Sequence, residues 1–299
     1  MKRLIAVIAG LALSFLSSPL FAAPQVKVGL NDVIATVERS FKAGSNGQLP
    51  VSDFTADFFQ RTTLAKESRE MRGDGQMAVK LAAPNSPLMY RFVYYRPYQQ
   101  EIVSDGNSLW IYHPENREVI MSDVSFVYNR PGFNPDRDNA VNFLQGLGRI
   151  SRDFQINFAG GMYDAAGNYI LEMNPRRAML NTRRILMAVS RDCVLAYVAS
   201  KNQSATTTAP APSRPAYQAP VSRPPFGSQP PFASQQPFGA PQSDLFPILS
   251  TTMDDQEGNS TTMEFGNIRV NTHLSQSGFS FMIPPGVQTV RPSELNQPR

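Results

Sequence analysis

The sequence predicts an α+β protein built on an antiparallel sheet, and three observations carry that expectation. Short runs of alternating, β-branched or aromatic residues recur along most of the chain, with turn-forming residues between them. Two of these runs, Tyr90 to Tyr95 and Ile102 to Pro114, are very apolar, and the second folds about Asp105-Gly106-Asn107, whose small and polar side chains tolerate the positive φ of a tight turn. Helical periodicity is confined to two stretches, one from Leu30 to Phe41 and one beginning at Asn134.

Taken in order, the amino terminus stands apart from any core. Lys2 and Arg3 precede an apolar run from Leu4 to Leu16, and Ala22 and Ala23 follow, which reads as a secretory signal peptide over 1–22 and a mature chain over 23–299. That run is too short to span a bilayer comfortably, and no later stretch is longer. The expectation is an exported protein. Cys193 is the sole cysteine, so none stands at the cleavage site to take a lipid anchor and no internal disulfide can form. It reads as a small buried hydrophobe.

In the mature chain, Leu30, Val33, Ile34, Val37 and Phe41 recur at helical spacing, with Asn31 placed to cap them, and Gly44 follows the end. Phe54, Ala56 and Phe58 alternate with Thr55 and Asp57 as a strand; Met77, Val79 and Leu81 repeat the pattern after a charged loop. In the apolar hairpin, Tyr90, Phe92 and Tyr94 share one face while Val93 and Tyr95 take the other. Trp110 and Tyr112 share a face opposite Leu109 and Ile111, and alternation alone leaves open which of the two turns inward.

Val119 to Met121 continues the sheet. Asn134-Pro135-Asp136 then carries a cap, a first-turn proline and an acid at the positive end of the helix dipole, so a second helix is expected through Val141, Phe143, Leu144 and Leu147 to Gly148. Strands follow at Phe154–Phe158, Tyr169–Met173 and Arg184–Val189. Between Lys201 and Ser243 composition changes: acids vanish, prolines crowd in, and Phe226, Phe232 and Phe238 recur every six residues. Such a segment lacks ladder donors and apolar mass, so 201–243 reads as a disordered or polyproline-like insertion in one domain. The strand pattern resumes at Phe246–Met253 and, after the turn Asp255–Asn259, at Thr261–Val270.

Several functions are disfavoured by what these residues can do. The net charge of +4 includes Lys2 and Arg3, and no dense Lys/Arg run is interleaved with aromatics, so nucleic acid is not an expected partner. His113 and His273 have no ligands at metal spacing, and no phosphate loop or paired cysteines occur, so no metal and no cofactor is expected. Ser104, Asp105 and His113 are a turn beside a strand end, with no assembled nucleophile, base and oxyanion site. A non-enzymatic protein is expected.

The run Ile102-Val103-Ser104-Asp105-Gly106-Asn107-Ser108-Leu109-Trp110-Ile111-Tyr112-His113-Pro114 resembles the signature hairpin of the LolA family, periplasmic carriers of outer-membrane lipoproteins. Asp53-Phe54-Thr55-Ala56-Asp57-Phe58-Phe59-Gln60 is similar to that family's first strand, and Phe279-Ser280-Phe281-Met282-Ile283-Pro284-Pro285-Gly286-Val287 to its closing strand and turn. The resemblance implies an antiparallel half-open β-barrel, a curved sheet, with helices lidding a hydrophobic cavity. It implies a periplasmic, monomeric chaperone that takes acyl chains of lipoproteins from an inner-membrane ABC-type transporter to an outer-membrane receptor. Burying a methylene is worth about 0.8 kcal/mol, so one chain of about fifteen methylenes is held by about 12 kcal/mol and does not escape usefully into water.

On that reading the cavity set is Phe54, Phe58, Met77, Val79, Tyr90, Phe92 and Tyr94, with Trp110 and Tyr112 counted beside them. The lid set is Leu30, Val33, Ile34 and Val37 in the first helix and Phe143, Leu144 and Leu147 in the second. One departure stands out. Where the family resembles itself in a Lys-Arg-Pro step, this chain reads Lys80-Leu81-Ala82-Ala83-Pro84, so the lid is expected to close by apolar packing, with Arg91 and Arg96 nearby but at other positions. Two alternatives share the half-barrel: a lipid-binding envelope-stress sensor, and an interaction scaffold acting through its proline-rich segment.

Overall fold

The computed structural model describes residues 27–45, 47–84, 86–124, 146–179, 182–206 and 245–291, with the side chains of 204–206 left aside. The expectations for the signal segment 1–22, for Phe143 and Leu144, and for residues 207–243 lie outside the described residues.

The first helix forms where its periodicity puts it. In α1 (Leu30–Phe41), Val33, Val37 and Phe41 are buried and the flanking polar residues face out. Its cap differs from the expected one: Gly29, not Asn31, is the capping residue, and the Asp32 carboxylate accepts from the Gly29 N–H at 3.0 Å. An acid in the first turn both closes an orphan donor and answers the helix dipole.

Eleven strands follow the same period-two logic and one short strand completes the set among the described residues. They are β1 (Asp53–Leu64), β2 (Arg69–Lys80), β3 (Met89–Arg96), β4 (Gln100–Ser104), β5 (Ser108–His113), β6 (Glu118–Asp123), β7 (Phe154–Tyr163), β8 (Tyr169–Pro175), β9 (Arg184–Val189), β10 (Ile248–Asp254), β11 (Ser260–Val270) and β12 (Gln288–Val290). The spatial order is β12-β6-β5-β4-β3-β2-β1-β11-β10-β9-β8-β7. All pairs are antiparallel except β12 beside β6. The result is one large, curved sheet that does not close on itself.

Pairing of β1 with β11 joins the two halves of the chain, Phe58 opposite Phe265 and Phe54 opposite Val270. The strands before and after 207–244, β9 and β10, are themselves paired in this sheet. The hairpin turn at Asp105-Gly106-Asn107 forms as its residues require: Gly106 has φ +91, and the Asp105 carboxylate accepts from the N–H groups of Asn107 and Ser108 at 2.8 and 2.7 Å.

Three expectations need correction. A helix, α3 (Arg191–Thr206), follows the four-residue α2 (Ile150–Asp153), so the first six residues assigned to the insertion are helical, with Cys193, Val194 and Val198 buried upstream of them. The charged loop expected before Met77 is strand: β1 and β2 pair as far as Leu64 opposite Arg69. Phe279 to Ile283 is not the closing strand. Gln276–Phe279 is a 3-10 turn, and the strand lies later, at β12, because the prolines Pro284 and Pro285 cannot donate to a ladder.

Helices gather on one face of the sheet. There α1 packs against α3, α2 and the 3-10 turn Leu147–Arg149, and Phe41 meets Phe246, which in turn meets Phe54 on the sheet at 4.8 Å between ring centroids. This is the inner face. A carboxyl-terminal strap from Asn271 to Val287 crosses the other, outer face. Lys80 Nζ donates to the Leu274 carbonyl at 2.8 Å, Arg91 Nη1 to the Gly278 carbonyl at 2.7 Å, and Phe279 is 1% exposed.

Candidate functional site

Strand register assembles the inner face residue by residue. Phe54 lies opposite Val79 and Ala56 opposite Met77; Val79 is opposite Tyr90, Met77 opposite Phe92, and Gly75 opposite Tyr94. Phe92 then faces Ile102, which faces Ile111, while Ser104 faces Leu109. Because side chains alternate strictly, these residues form one apolar surface running across five strands. Phe58 holds the aromatic part together, its ring 4.9 Å from Tyr94 and 5.9 Å from Phe92 in edge-on contact. Each such pair adds about 0.5–1.5 kcal/mol beyond burial.

The surface is covered unevenly. Phe54, Phe58, Met77, Val79 and Tyr90 are buried in a filled core beneath α1, with Val33, Val37, Phe41 and Leu147. Phe92, Tyr94, Ile102 and Leu109 are only half-buried against that core, and Ile111 is half-buried beyond it. So the nine residues grouped as a cavity do not share one environment: five are packed, two are half-open, and two sit elsewhere.

Those two are Trp110 and Tyr112, and their placement is a correction. Trp110 is opposite Val103 and Met121, and Tyr112 is opposite Glu101 and Val119, which puts both on the outer face. There the Phe281 ring of the strap covers them at 6.5 and 5.5 Å. The inward pair on β5 is Leu109 and Ile111. The signal that sequence reasoning missed was the register itself: a turn at Asp105–Asn107 sets Ser104 opposite Leu109 and so Ile102 opposite Ile111.

Polar contacts fasten α1 over the inner face. Asp32 pairs with Lys201 Nζ of α3 at 2.9 Å, Glu38 accepts from the Ser151 N–H and hydroxyl at 2.8 and 2.6 Å, and Arg39 lies 4.9 Å over the Tyr197 ring. The bond from Lys201 and the Gly29 N–H hold the Asp32 carboxyl below its ordinary value. Leu30 and Ile34 pack half-exposed against the core edge. Arg91, in contrast, points to the outer face, bonded to Glu101 and the strap, so no guanidinium from that strand reaches the helices.

Along β1, β3, β4 and β5 the inner face changes from apolar to hydrogen-bonding at the same level, while β2 offers Gly73 and Met71 there. Gln60 and Thr62 continue the row of Phe54, Ala56 and Phe58; Tyr94 follows Tyr90 and Phe92; Gln100 precedes Ile102; His113 follows Leu109 and Ile111. Tyr94 Oη donates to Gln60 Oε1 at 2.9 Å, and Gln100 Nε2 lies 3.4 Å from His113 Nε2. Burial pushes the Tyr94 hydroxyl above its ordinary value, keeping it a donor. These residues line an open hollow of about 890 Å³ at the rim.

Among the described residues no group of three or more His, Cys, Asp or Glu is placed to hold a metal ion, and no helix is long and apolar enough to cross a membrane.

Residues 50–209, more than half of the chain, match the family model described as outer membrane lipoprotein carrier protein LolA. An outer-membrane lipoprotein carrier protein of Chromobacterium violaceum is 29% identical over 147 residues, covering 49% of this chain and 63% of the relative. One of Actinobacillus succinogenes is 31% identical over 83 residues, covering 28% and 38%. The chain thus spans between about a third and two thirds of these relatives' own lengths. Among solved structures, a LolA superfamily protein of Nitrosomonas europaea is similar with a TM-score of 0.37 at 12% identity, over 85% of this chain and 99% of that one.

Proposed function

This chain belongs to the LolA family, and from that premise we propose that it is a non-enzymatic periplasmic carrier that shelters the acyl chains of lipoproteins on the inner face of its sheet. The observation that carries the reading is the five-strand apolar surface, buried at one end under α1 and half-open at the other, in a chain whose family model spans β1 to α3. Aliphatic chains have no polar handle, so a site for them needs area and exclusion of water rather than reactive groups.

The half-open strip of Phe92, Ile102, Leu109 and Ile111 is the entry. Further chain length is accommodated where α1 now fills the space over Phe54, Phe58, Met77, Val79 and Tyr90, so loading displaces that helix. Val33, Val37 and Leu147 act as the covering side chains, with Leu30 and Ile34 at the margin. Phe143 and Leu144 complete the cover in this proposal. Trp110 and Tyr112 take no part, being under the strap.

In this proposal the protein is exported by its segment 1–22, receives cargo as a monomer from an inner-membrane ABC-type transporter and gives it to an outer-membrane receptor that offers a better apolar site. One domain does this work, and the residues after Thr206 form an insertion in it. The test is a pull-down of a purified triacylated lipoprotein and of the same protein with its lipidated cysteine replaced by serine. Retention of the acylated form alone is expected; equal retention of both, or of neither, refutes the reading.

A further inference from the structure

An amphiphile lying on the inner face would bring its head to the row of Gln60, Thr62, Tyr94, Gln100 and His113, because there β1, β3, β4 and β5 exchange apolar for hydrogen-bonding side chains while keeping the same inward direction. The hollow at that rim, about 890 Å³, is large enough for a head of several heavy atoms. The row itself offers amides, hydroxyls and one imidazole, with charged side chains farther round the hollow. A carboxamide carries two donors and two acceptor lone pairs, so Gln60, which accepts from Tyr94 Oη at 2.9 Å and donates to Thr62 Oγ1 at 3.3 Å, keeps capacity for a ligand. Gln100, bonded to His113 through Nε2, keeps its carbonyl oxygen.

Charge at the same rim argues against a phosphate. Arg69, Arg72 and Arg96 border the hollow, and each stands beside a carboxylate: Glu67 at 3.5 Å, Glu70 at 2.5 Å and Asp74 at 2.9 Å. Glu115 adds another acid to the wall. With Glu67, Glu70, Asp74 and Glu115 around the three guanidiniums, the rim has no surplus positive charge to offer an anion, whereas an uncharged ester or amide meets no repulsion from those carboxylates.

We propose that this rim is a head-group subsite that selects acyl chains borne on an uncharged ester-and-amide head, as at an acylated amino terminus, over the same chains borne on a phosphate. The proposal rests on the carrier reading above and adds a specificity that the apolar surface cannot supply. Selection here is a matter of the first few atoms beyond the chains.

The test displaces diphenylhexatriene, an uncharged hydrocarbon dye, from the full-length mature protein. The competitors are N-acetyl-S-(dipalmitoyloxypropyl)cysteinyl-serinamide and dipalmitoyl phosphatidic acid, which share their acyl chains. The expected result is a preference of about tenfold or more for the lipopeptide, and loss of most of that preference in Gln60→Leu/Gln100→Leu with an unchanged circular dichroism spectrum. Equal displacement by the two lipids in the unsubstituted protein overturns the head-group proposal and leaves the carrier reading standing. Failure of the protein to bind the dye or either lipid overturns both.

Discussion

Gly75 shows how one missing atom shapes the inner face. A Cβ built there would lie 2.0 Å from the Val93 carbonyl oxygen and 2.9 Å from Phe58 Cζ, at the irregular step between β2 and β3. Only hydrogen fits between the strand and the Phe58 ring. Gly75→Ala is expected to cost about 1–3 kcal/mol in urea unfolding, as an overpacked core does, and an unaltered midpoint would show that the strand shifts freely. Arg91 gives the opposite lesson. It lies on the outer face with Glu101 and the Gly278 carbonyl, so Arg91→Ala should cost about 1–2 kcal/mol and speed proteolysis within 274–287, while acyl-chain binding persists. Loss of binding in that variant would place Arg91 in lid closure after all. At this scale the sequence was legible where alternation within one strand decides, as for Phe54, Phe58, Met77 and Val79, which share one face. Trp110 and Tyr112 were not, because a strand apolar on both sides carries no mark of which side is inner.

Among elements, the span of α1 was readable, though not its cap, because its stripe of Val33, Val37 and Phe41 has no competing period. The helix α3 went unread: its polar tail runs into the change of composition at Lys201, and that change masked a helix whose buried residues are Cys193, Val194 and Val198. Its role is visible only in three dimensions, where Lys201 reaches Asp32. Since the Asp32 carboxyl is held below its ordinary value, the contribution of that contact is complete above the unfolded carboxylate value near pH 4 and is lost as pH falls through the lower folded value. The urea midpoint of the native chain should therefore exceed that of Asp32→Asn at pH 6, and the two should converge at low pH. A difference that persists undiminished at low pH would contradict the assignment. Residues Phe279 to Val287 were read as a closing strand and turn on resemblance alone; Phe279 is buried in a 3-10 turn and Phe281 lies over Trp110 and Tyr112.

For the whole molecule, turn signals and alternation were enough to specify an antiparallel sheet, but not the order of its strands. That order depends on β1 pairing β11 across most of the chain's length, a contact no local pattern encodes. The strands on either side of α3 and the segment after it, β9 and β10, are paired in the same sheet, so a long connection there is tolerated, because loop closure grows only slowly with length. Replacing 207–244 by a short Gly-Ser linker is expected to leave the unfolding transition and lipoprotein retention nearly unchanged; loss of retention would favour the scaffold alternative. The central claim concerns which side of the sheet meets hydrocarbon. Placing photoreactive benzoylphenylalanine at Phe92 or at Tyr112 and irradiating intact cells tests it most directly. Adducts with acylated proteins are expected from position 92 and not from position 112, whereas adducts at 112 alone, or none at 92, would show that the acyl chains do not lie on the inner face.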